Sequence, residues 1–282
     1  LCSGKIGADD IGEAIEIKAD VAEVAIIAIR VDPLVTPERD LCNKTFVNGI
    51  ETMIVTKRAA GVFAAPPCST ISLRRHKVLL DEEGNPRRGP RPVRARSNVL
   101  DPLPRLSRRE RDQVLIGSHL FELCTYFVAL GAALGLWSAE ENPEDPGHKP
   151  FPSFWLAPSV PVAEEATGAK PTHVDQCQYG CPVQKATTLW SASPWVWELK
   201  KVCTCKKHKY FSVIAADGSF TSAAWARYPV RFAMAIAETF VQELLHTRAR
   251  RVAWRPAKGP HIFPTGLEAA VARCYSIGIG QL

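Results

Sequence analysis

The feature that most constrains the fold is an alternation of short apolar runs with longer segments of mixed polarity. Residues 23–32 form a β-branched run that ends in Asp32, and residues 60–65 form a second run that two prolines stop. Such runs are typical of strands buried on both faces of a sheet, and proline does not continue a central ladder. Residues 43–58 lie between the runs and suit a helix. This order predicts an α/β chain.

The second half of the chain continues the alternation. Ser107-Arg108-Arg109-Glu110 is a capping-box pattern, which predicts a helix to about Leu134. The further expected elements are a strand ending at Glu141-Asn142-Pro143, strands at 172–177 and 187–190, and an amphipathic helix from Pro229 to Leu245. Together they predict a mostly parallel, doubly wound, Rossmann-like sheet, which binds ligands beyond the carboxyl ends of its strands.

Composition places the chain in a broad class. The hydrophobic fraction of 46% and the charged fraction of 23% argue against wholesale disorder and against a fibrous protein. Nine scattered cysteines show no small disulfide framework, which predicts a reducing, intracellular compartment. The longest apolar run, between Leu115 and Trp137, contains His119 and Glu122, and a buried helix is favoured over a membrane span.

Positive charge is concentrated in one stretch. The net charge is +6, and residues 74–96 hold eight lysines and arginines against three acidic residues. The arginines of this stretch are Arg74, Arg75, Arg87, Arg88, Arg91, Arg94 and Arg96. Such a cluster suits the phosphates of a nucleic acid, although a solvated loop has the same composition. Prolines and glycines at 81–105 predict a long, exposed, mobile loop.

Two positions have the residue types of a catalytic site. Cys68 follows the second apolar run and its two prolines, so it is a candidate nucleophile at a strand end, and the alternative is a structural thiol. Glu141 is expected at the end of a strand and could act as an acid or hydrogen-bond donor, whereas a surface turn is the default for the tripeptide Glu141-Asn142-Pro143.

Weaker signals concern cofactors and metals. Asp32 could accept hydrogen bonds from a ribose, and Ser3-Gly4-Lys5-Ile6-Gly7 could form a nucleotide loop. Cys203, Cys205 and His208 are metal-ligand types, with Cys177 or Cys181 as a fourth. Because their spacing is not that of a standard finger, a basic turn is favoured over a zinc site.

Taken in order, these segments resemble cytosine-5 DNA methyltransferases. The segments that carry the resemblance are Ser3-Gly4-Lys5-Ile6-Gly7, Asp32, Asp40-Leu41, Pro66-Pro67-Cys68-Ser69-Thr70, Glu141-Asn142-Pro143, Gln176-Cys177-Gln178 and Ala226-Arg227-Tyr228-Pro229. The chain is also similar to methyltransferase-like segments of protist and fungal mobile-element (retrotransposon-like) polyproteins, which share the Lys-x-Thr-Thr-Leu pattern seen at Lys185. It departs from the family at Gln178 and Gly180, where the family has arginines.

The resemblance implies methyl transfer from S-adenosylmethionine to carbon 5 of cytosine in DNA. Cys68 would be the nucleophile, Glu141 would bind the base, and Asn142 would hold the two loops in register. Ser3, Gly4, Gly7, Asp32, Asp40, Leu41 and Pro66 would bind the cofactor. The seven arginines listed above, with Gln176, Gln178 and Lys185, would contact DNA.

The same resemblance suggests a domain plan. Residues 1–246 would form the catalytic domain, with its first strand missing or incomplete and a short insert at about 190–222. Residues 247–282 would form a basic extension, and the nucleus would be a candidate location. Two rivals remain: a catalytically silent nucleic-acid-binding module of a mobile-element polyprotein, and a methyltransferase acting on RNA.

Overall fold

The computed structural model describes residues 10–29, 31, 40–76, 78–81, 84–87, 89–208, 213–214 and 227–253. The helices of these residues are α1 (Ile11–Val21), α2 (Lys44–Val55), α3 (Arg108–Ala133), α4 (Ser159–Thr167), α5 (Pro194–Trp197) and α6 (Val230–Ala253). The strands are β1 (Gly61–Ala64), β2 (Leu79–Asp81), β3 (Pro86–Arg87), β4 (Trp137–Pro143), β5 (Lys170–Asp175), β6 (Ala186–Ser191) and β7 (Val213–Ile214).

The main sheet has four strands in the order β1-β4-β6-β5. β1 and β4 are parallel, whereas β6 is antiparallel to both β4 and β5. The expected α/β architecture is confirmed as an open mixed sheet, but most of its pairings are antiparallel rather than parallel. Because β6 alone is reversed among these four strands, β1, β4 and β5 run in one direction and end at the same edge.

Helices cover both faces of this sheet. Val62 and Ala64 of β1 belong to a core that includes residues of α2, α3 and α4. Trp137 and Ala139 of β4 belong to a second core with residues of α1 and α6. The described part of the chain is therefore built in three layers, with the sheet in the middle.

Helix α3 is the central helix of the first core. Ser107 caps it with the predicted capping box, in which the Ser107 hydroxyl accepts from the Glu110 backbone and the Glu110 carboxylate accepts from the Ser107 backbone. Among the described residues, α3 alone is long and apolar enough to cross a membrane, but 67% of its most apolar window is buried inside the protein. Its apolar residues are accounted for by packing against β1 and β4.

Several expected elements are confirmed by the structure. The helix at 43–58 is α2, the strand at 60–65 is β1, and the strand ending at 141–143 is β4. The strands expected at 172–177 and 187–190 are β5 and β6. Helix α6 extends beyond the expected end at Leu245 to Ala253. The division of the chain into domains stays a prediction.

The expected buried strand at 23–32 is wrong for the residues that are described. Residues 24–29 lie outside any strand, and Ile27 and Ile29 are 87% and 56% exposed. Val24 and Ile26 pack against the core on the α6 side of the sheet, and Val31 is buried in the core on the other side, so burial along the run is uneven. An apolar run is buried on both faces only when strands flank it, and no described strand does so here.

The expected mobile loop at 81–105 is also wrong in its second half. Val93 and Arg94 are each 1% exposed, so this segment is packed against the protein. The Arg94 guanidinium donates to Thr70 Oγ1 (2.9 Å), Ser118 Oγ (2.7 Å), the Val114 carbonyl (2.7 Å) and the Val99 carbonyl (2.5 Å). Arg94 thereby joins the segment after Cys68 to helix α3.

Two neighbours make room for this guanidinium. Arg94 lies over the ring of Phe154, at 4.8 Å from its centroid. Gly117 of α3 faces it, and a Cβ at that position would lie 3.0 Å from Arg94 Nη2. Arg94 was expected to contact DNA, but a buried side chain whose donors are satisfied within the protein is not available to phosphates.

Replacing Arg94 with lysine should therefore destabilise the fold. Lysine keeps the charge but cannot reach four acceptors in the planar arrangement, so buried carbonyl and hydroxyl groups lose their donors. We expect the free energy of unfolding, measured in urea, to fall by about 2 kcal/mol or more. Arg108→Lys is the matched control, because the side chain of Arg108 is 95% exposed. Equal unfolding midpoints for the two variants would show that Arg94 does not hold the fold.

Candidate functional site

Cys68 follows β1, and Glu141 lies near the end of β4, the strand beside it. In the parallel pairing of β1 with β4, Ala64 lies opposite Glu140. Glu141 is the next residue of β4, and Cys68 follows the end of β1 after two prolines. Burial and, after it, the negative charge of Glu141 raise the pKa of the Cys68 thiol. The structure thus brings together the predicted nucleophile and the predicted acid at one edge of the sheet.

The surroundings of Cys68 favour its protonated form. The residue retains exposed surface, yet protein atoms crowd its thiol, and this desolvation is the main cause that raises the pKa. Glu141 raises it further, while Lys185 and Arg74 act in the opposite direction. Because the thiolate is the nucleophile, activation of Cys68 requires a change in its surroundings that lowers this pKa.

Glu141 is held by a tyrosine from the far end of the described chain. Glu141 is 7% exposed, and its Oε2 accepts a hydrogen bond of 2.9 Å from the Tyr228 hydroxyl. Tyr228 lies two residues before Val230, where helix α6 begins. The orientation of the Glu141 carboxyl therefore depends on where α6 begins.

Asn142 ties the two strand ends together. Its side-chain amide is 1% exposed and donates to the Pro66 carbonyl at 3.2 Å. The Asn142 Oδ1 atom is buried and has no hydrogen-bond partner among the described residues. Asn142 thus has the contact expected of a residue that keeps the Cys68 turn and β4 in register.

Two cations lie close to the thiol. Lys185 and Arg74 both lower the pKa of Cys68. The Lys185 ammonium lies 5.2 Å from the centroid of the Tyr228 ring, beside the group that holds Glu141. Desolvation lowers the pKa of Arg74 to about 10, against an opposing effect of Cys68, so Arg74 stays charged at neutral pH. The site therefore combines a thiol, a carboxyl and two positive charges.

Other predicted DNA contacts are engaged within the protein. Arg75 donates to the Ser69 carbonyl at 2.8 Å and to the Arg91 carbonyl at 2.9 Å. Arg91 forms an ion pair with Glu110, and Arg96 pairs with Asp145 and donates to the Phe151 carbonyl. These contacts tie the segment that carries the arginines to α3 and to the end of β4. Arg75 and Arg96 are partly buried, whereas Arg91 remains exposed, so its contact with DNA stays a prediction. The side chain of Arg87 and the whole of Arg88 lie outside the described residues.

The two glutamines expected near the base are placed differently. Gln176 is fully buried and donates to Thr187 Oγ1 at 2.9 Å, so it is not available to DNA. Gln178 donates to the sulfurs of Cys205 at 3.4 Å and Cys177 at 3.8 Å. The expectation of a base contact fails for Gln176 because the chain turns inward directly after β5.

The expected cofactor residues do not form a site in the described part. Ser3, Gly4, Gly7 and Asp32 lie outside the described residues. Asp40 accepts from the Cys42 backbone at 2.9 Å, in a turn that leads into α2. Leu41 is fully buried in the core, which corrects its assignment as a side-chain contact to a cofactor. Pro66 is buried, and its carbonyl accepts from Asn142.

Two groupings were only partly evident in the sequence. Tyr228 stood out in the sequence only as part of Ala226-Arg227-Tyr228-Pro229, and no local pattern indicates its contact with Glu141, which lies 87 positions away. The residues of metal-ligand type at 203, 205 and 208 come together with Cys177 after β5. The sequence offered Cys177 and Cys181 equally, and only the fold separates them.

Comparisons of the chain with protein families, with curated proteins and with solved structures found no match. The site must therefore be interpreted from its own geometry.

The Asn142 contact generates a prediction about the Cys68 turn. Asn142→Ala removes the donor to the Pro66 carbonyl, so we expect faster amide hydrogen exchange in the peptide that covers residues 66–72 and a loss of about 1 kcal/mol of stability. Exchange in α1, on the opposite face of the sheet, should stay unchanged. Exchange that rises equally in both segments would indicate general destabilisation and would contradict a specific role in the turn.

Proposed function

We propose that the chain is a cytosine-5 DNA methyltransferase-type enzyme that forms a covalent bond between Cys68 and the target base. The observation that carries the proposal is the placement of Cys68 and Glu141 at adjacent ends of parallel strands, close enough for Glu141 to affect the thiol. Asn142, Tyr228 and Lys185 hold or flank these groups. A thiol alone is weak evidence, but a thiol beside an oriented carboxyl suits nucleophilic catalysis with acid assistance.

The finer fold assignment, a Rossmann-like doubly wound sheet, belongs to the same proposal. Three of the four strands of the main sheet share one direction, and helices cover both faces. In open α/β sheets, ligands bind beyond the carboxyl ends of such strands. Cys68, Glu141 and the turn after β5 lie at that edge.

The covalent step follows from the chemistry of the pyrimidine ring. Attack by the Cys68 thiolate forms a sulfur–carbon bond at carbon 6, and electrons of the ring shift toward ring nitrogen 3. Carbon 5 then takes an electrophile. Loss of the original proton of carbon 5 expels the thiolate and restores the double bond. Because the ring is not accessible in stacked DNA, the base must first leave the helix.

Glu141 supplies the acid in this scheme. A proton shared between its carboxyl and ring nitrogen 3 meets the charge that develops there. That proton also removes the negative charge that opposes the Cys68 thiolate. Tyr228 fixes one carboxyl oxygen, so the other can be directed at the base.

The identity of the methyl donor rests on the resemblance to cytosine-5 DNA methyltransferases. S-adenosylmethionine, when bound, would supply the methyl group. Asp40, Leu41 and Pro66 make contacts within the protein, so the described residues do not by themselves provide donors for this cofactor. The roles proposed for Cys68 and Glu141 do not require either residue to contact this cofactor.

DNA is the proposed partner, and Arg74 and Lys185 are the proposed phosphate contacts nearest the reacting base. Both cations act on Cys68, so a phosphate that they bind would lie next to the extruded nucleotide. Arg94 and Arg96 brace the fold instead. An intracellular and nuclear location is part of this proposal, since the substrate is DNA.

A catalytically silent nucleic-acid-binding module is the second candidate. The raised pKa of Cys68 and the lack of cofactor donors among Asp40, Leu41 and Pro66 favour it. It would retain the basic residues and the fold but would not form a covalent adduct.

Exchange of the hydrogen on carbon 5 tests the covalent step without the cofactor. With DNA tritiated at carbon 5 of cytosine, the chain should release tritium to water, because carbon 5 of the adduct can take a proton. Cys68→Ser should abolish this release and keep DNA affinity within about twofold, since affinity comes mainly from phosphate contacts. Cys42→Ser is the matched control, as both cysteines are exposed. DNA binding with no release by the unaltered chain would favour the silent module.

Trapping tests the complete reaction. With S-adenosylmethionine present, DNA containing 5-fluorocytosine should form a complex with the chain that survives denaturing electrophoresis, because fluorine cannot leave as a proton does. Tritium release without such trapping would support the chemistry of Cys68 and contradict methyl transfer. Trapping on RNA alone would assign the substrate class to RNA.

A further inference from the structure

A cluster of three cysteines and one histidine is separate from the site formed by Cys68 and Glu141. Cys177 belongs to the turn after β5, and Cys203, Cys205 and His208 lie on the segment after α5. One ligand atom from each of the four residues lies within 4.8 Å of every other. The sequence favoured a basic turn here, and the structure shows a grouping that spacing alone did not indicate.

The distances fit a tetrahedral site with small adjustments. In zinc sites, metal–sulfur bonds of about 2.3 Å and metal–nitrogen bonds of about 2.0 Å place neighbouring ligand atoms about 3.5–3.8 Å apart. Cys203 Sγ lies 3.4 Å from His208 Nε2. The largest separation exceeds the ideal by about 1 Å, which side-chain rotation can close without moving the strands.

We propose that Cys177, Cys203, Cys205 and His208 bind one structural zinc ion. Four protein ligands leave no open position, which is the arrangement of structural rather than catalytic zinc sites. Thiolate and imidazole together select zinc over magnesium or calcium, which require oxygen ligands. This proposal does not depend on the function proposed for Cys68.

Backbone contacts hold the two halves of the cluster together. Lys201 pairs with the end of β5: the Asp175 backbone N–H donates to the Lys201 carbonyl at 2.8 Å. The Asp175 carboxylate, which is 2% exposed, accepts from the Cys203 backbone N–H at 2.8 Å. The Tyr179 hydroxyl donates to the Leu199 carbonyl at 2.9 Å. The segment that carries three of the ligands is thus positioned against the turn that carries the fourth.

Hydrogen bonds to sulfur and nearby charge also suit a metal–thiolate site. The Cys205 backbone N–H donates to Cys203 Sγ at 3.4 Å, and the Gln178 amide donates to Cys205 Sγ at 3.4 Å. Such donors stabilise thiolates that bind a metal. Three thiolates with one zinc ion carry a net negative charge, which the surrounding lysines would balance. These are Lys200, Lys201, Lys206 and Lys207.

The ion would fix the chain at the edge of the sheet that holds Cys68. The turn that contains Cys177 begins at Gln176, whose backbone N–H donates to the Lys185 carbonyl at 3.0 Å. Lys185 acts on the Cys68 thiol. A bound zinc ion would therefore help to hold Lys185 in place without itself contacting Cys68 or Glu141.

Metal analysis of the purified, reduced full chain tests the proposal. We expect about one zinc per chain by mass spectrometry of the metal, and replacement by Co²⁺ should give the visible bands of a tetrahedral site with thiolate-to-metal charge transfer. Cys203→Ser and Cys177→Ser should each lower zinc content severalfold, whereas Cys42→Ser should not. Cys181→Ser separates the two candidate fourth ligands and should also leave zinc content unchanged. Cys205→His should retain metal, because imidazole is an alternative ligand.

Three results would contradict the proposed zinc site or one of its ligands. A reduced chain that contains no zinc and gives no thiolate bands with Co²⁺ overturns the proposal, whether or not the variants fold. Retention of one zinc by Cys177→Ser would remove Cys177 from the site. A disulfide between two of the three cysteines, detected by mass spectrometry of the unreduced chain as isolated, would also overturn it.

Discussion

The buried guanidinium of Arg94 is the interaction on which the rest of the described structure depends most. It donates to the segment after Cys68, through Thr70, and to helix α3, through Ser118 and the Val114 carbonyl. Helix α3 packs on β1 and β4, the two strands that present Cys68 and Glu141. One side chain thus joins the nucleophile's turn to the helix that supports its strand. A buried charge is costly unless its donors are satisfied, which explains why Gly117 leaves room for it.

Local sequence patterns predicted most of the helices and strands. They did not predict which elements would pack beside each other. The capping box at Ser107 and the prolines after β1 each predict an element end from a few residues, and the structure confirms both. Residues 24–29 show the limit: their β-branched composition predicts a buried strand, but burial depends on flanking strands that composition does not specify. The reversed β6 is a similar case, because strand direction is decided by connections across the sheet rather than by the run itself.

The candidate site was predictable in part for the same reason. Cys68 and Glu141 could be paired because each was expected at the carboxyl end of a strand, and the carboxyl ends of parallel strands meet at one edge. Charge was a poorer guide, since arginines look alike in sequence whether they contact phosphate or, as Arg96 does, pair with an acid within the fold. Tyr228 and the grouping of Cys177 with His208 rest on contacts between distant segments, which only the folded chain brings together.

The central claim is that Cys68 and Glu141 form one electrostatically coupled site, and the pKa of the Cys68 thiol measures this coupling directly. The rate of iodoacetamide alkylation of the Cys68 peptide, followed by mass spectrometry across pH, gives that pKa. Glu141→Gln removes the negative charge that helps to raise it, so the alkylation profile should shift to lower pH. Glu144→Gln, which changes a carboxylate bonded to Thr188 and His173 instead, is the control and should leave the profile in place. An unchanged profile in Glu141→Gln would contradict the coupling, and with it the assignment of the two residues to one site.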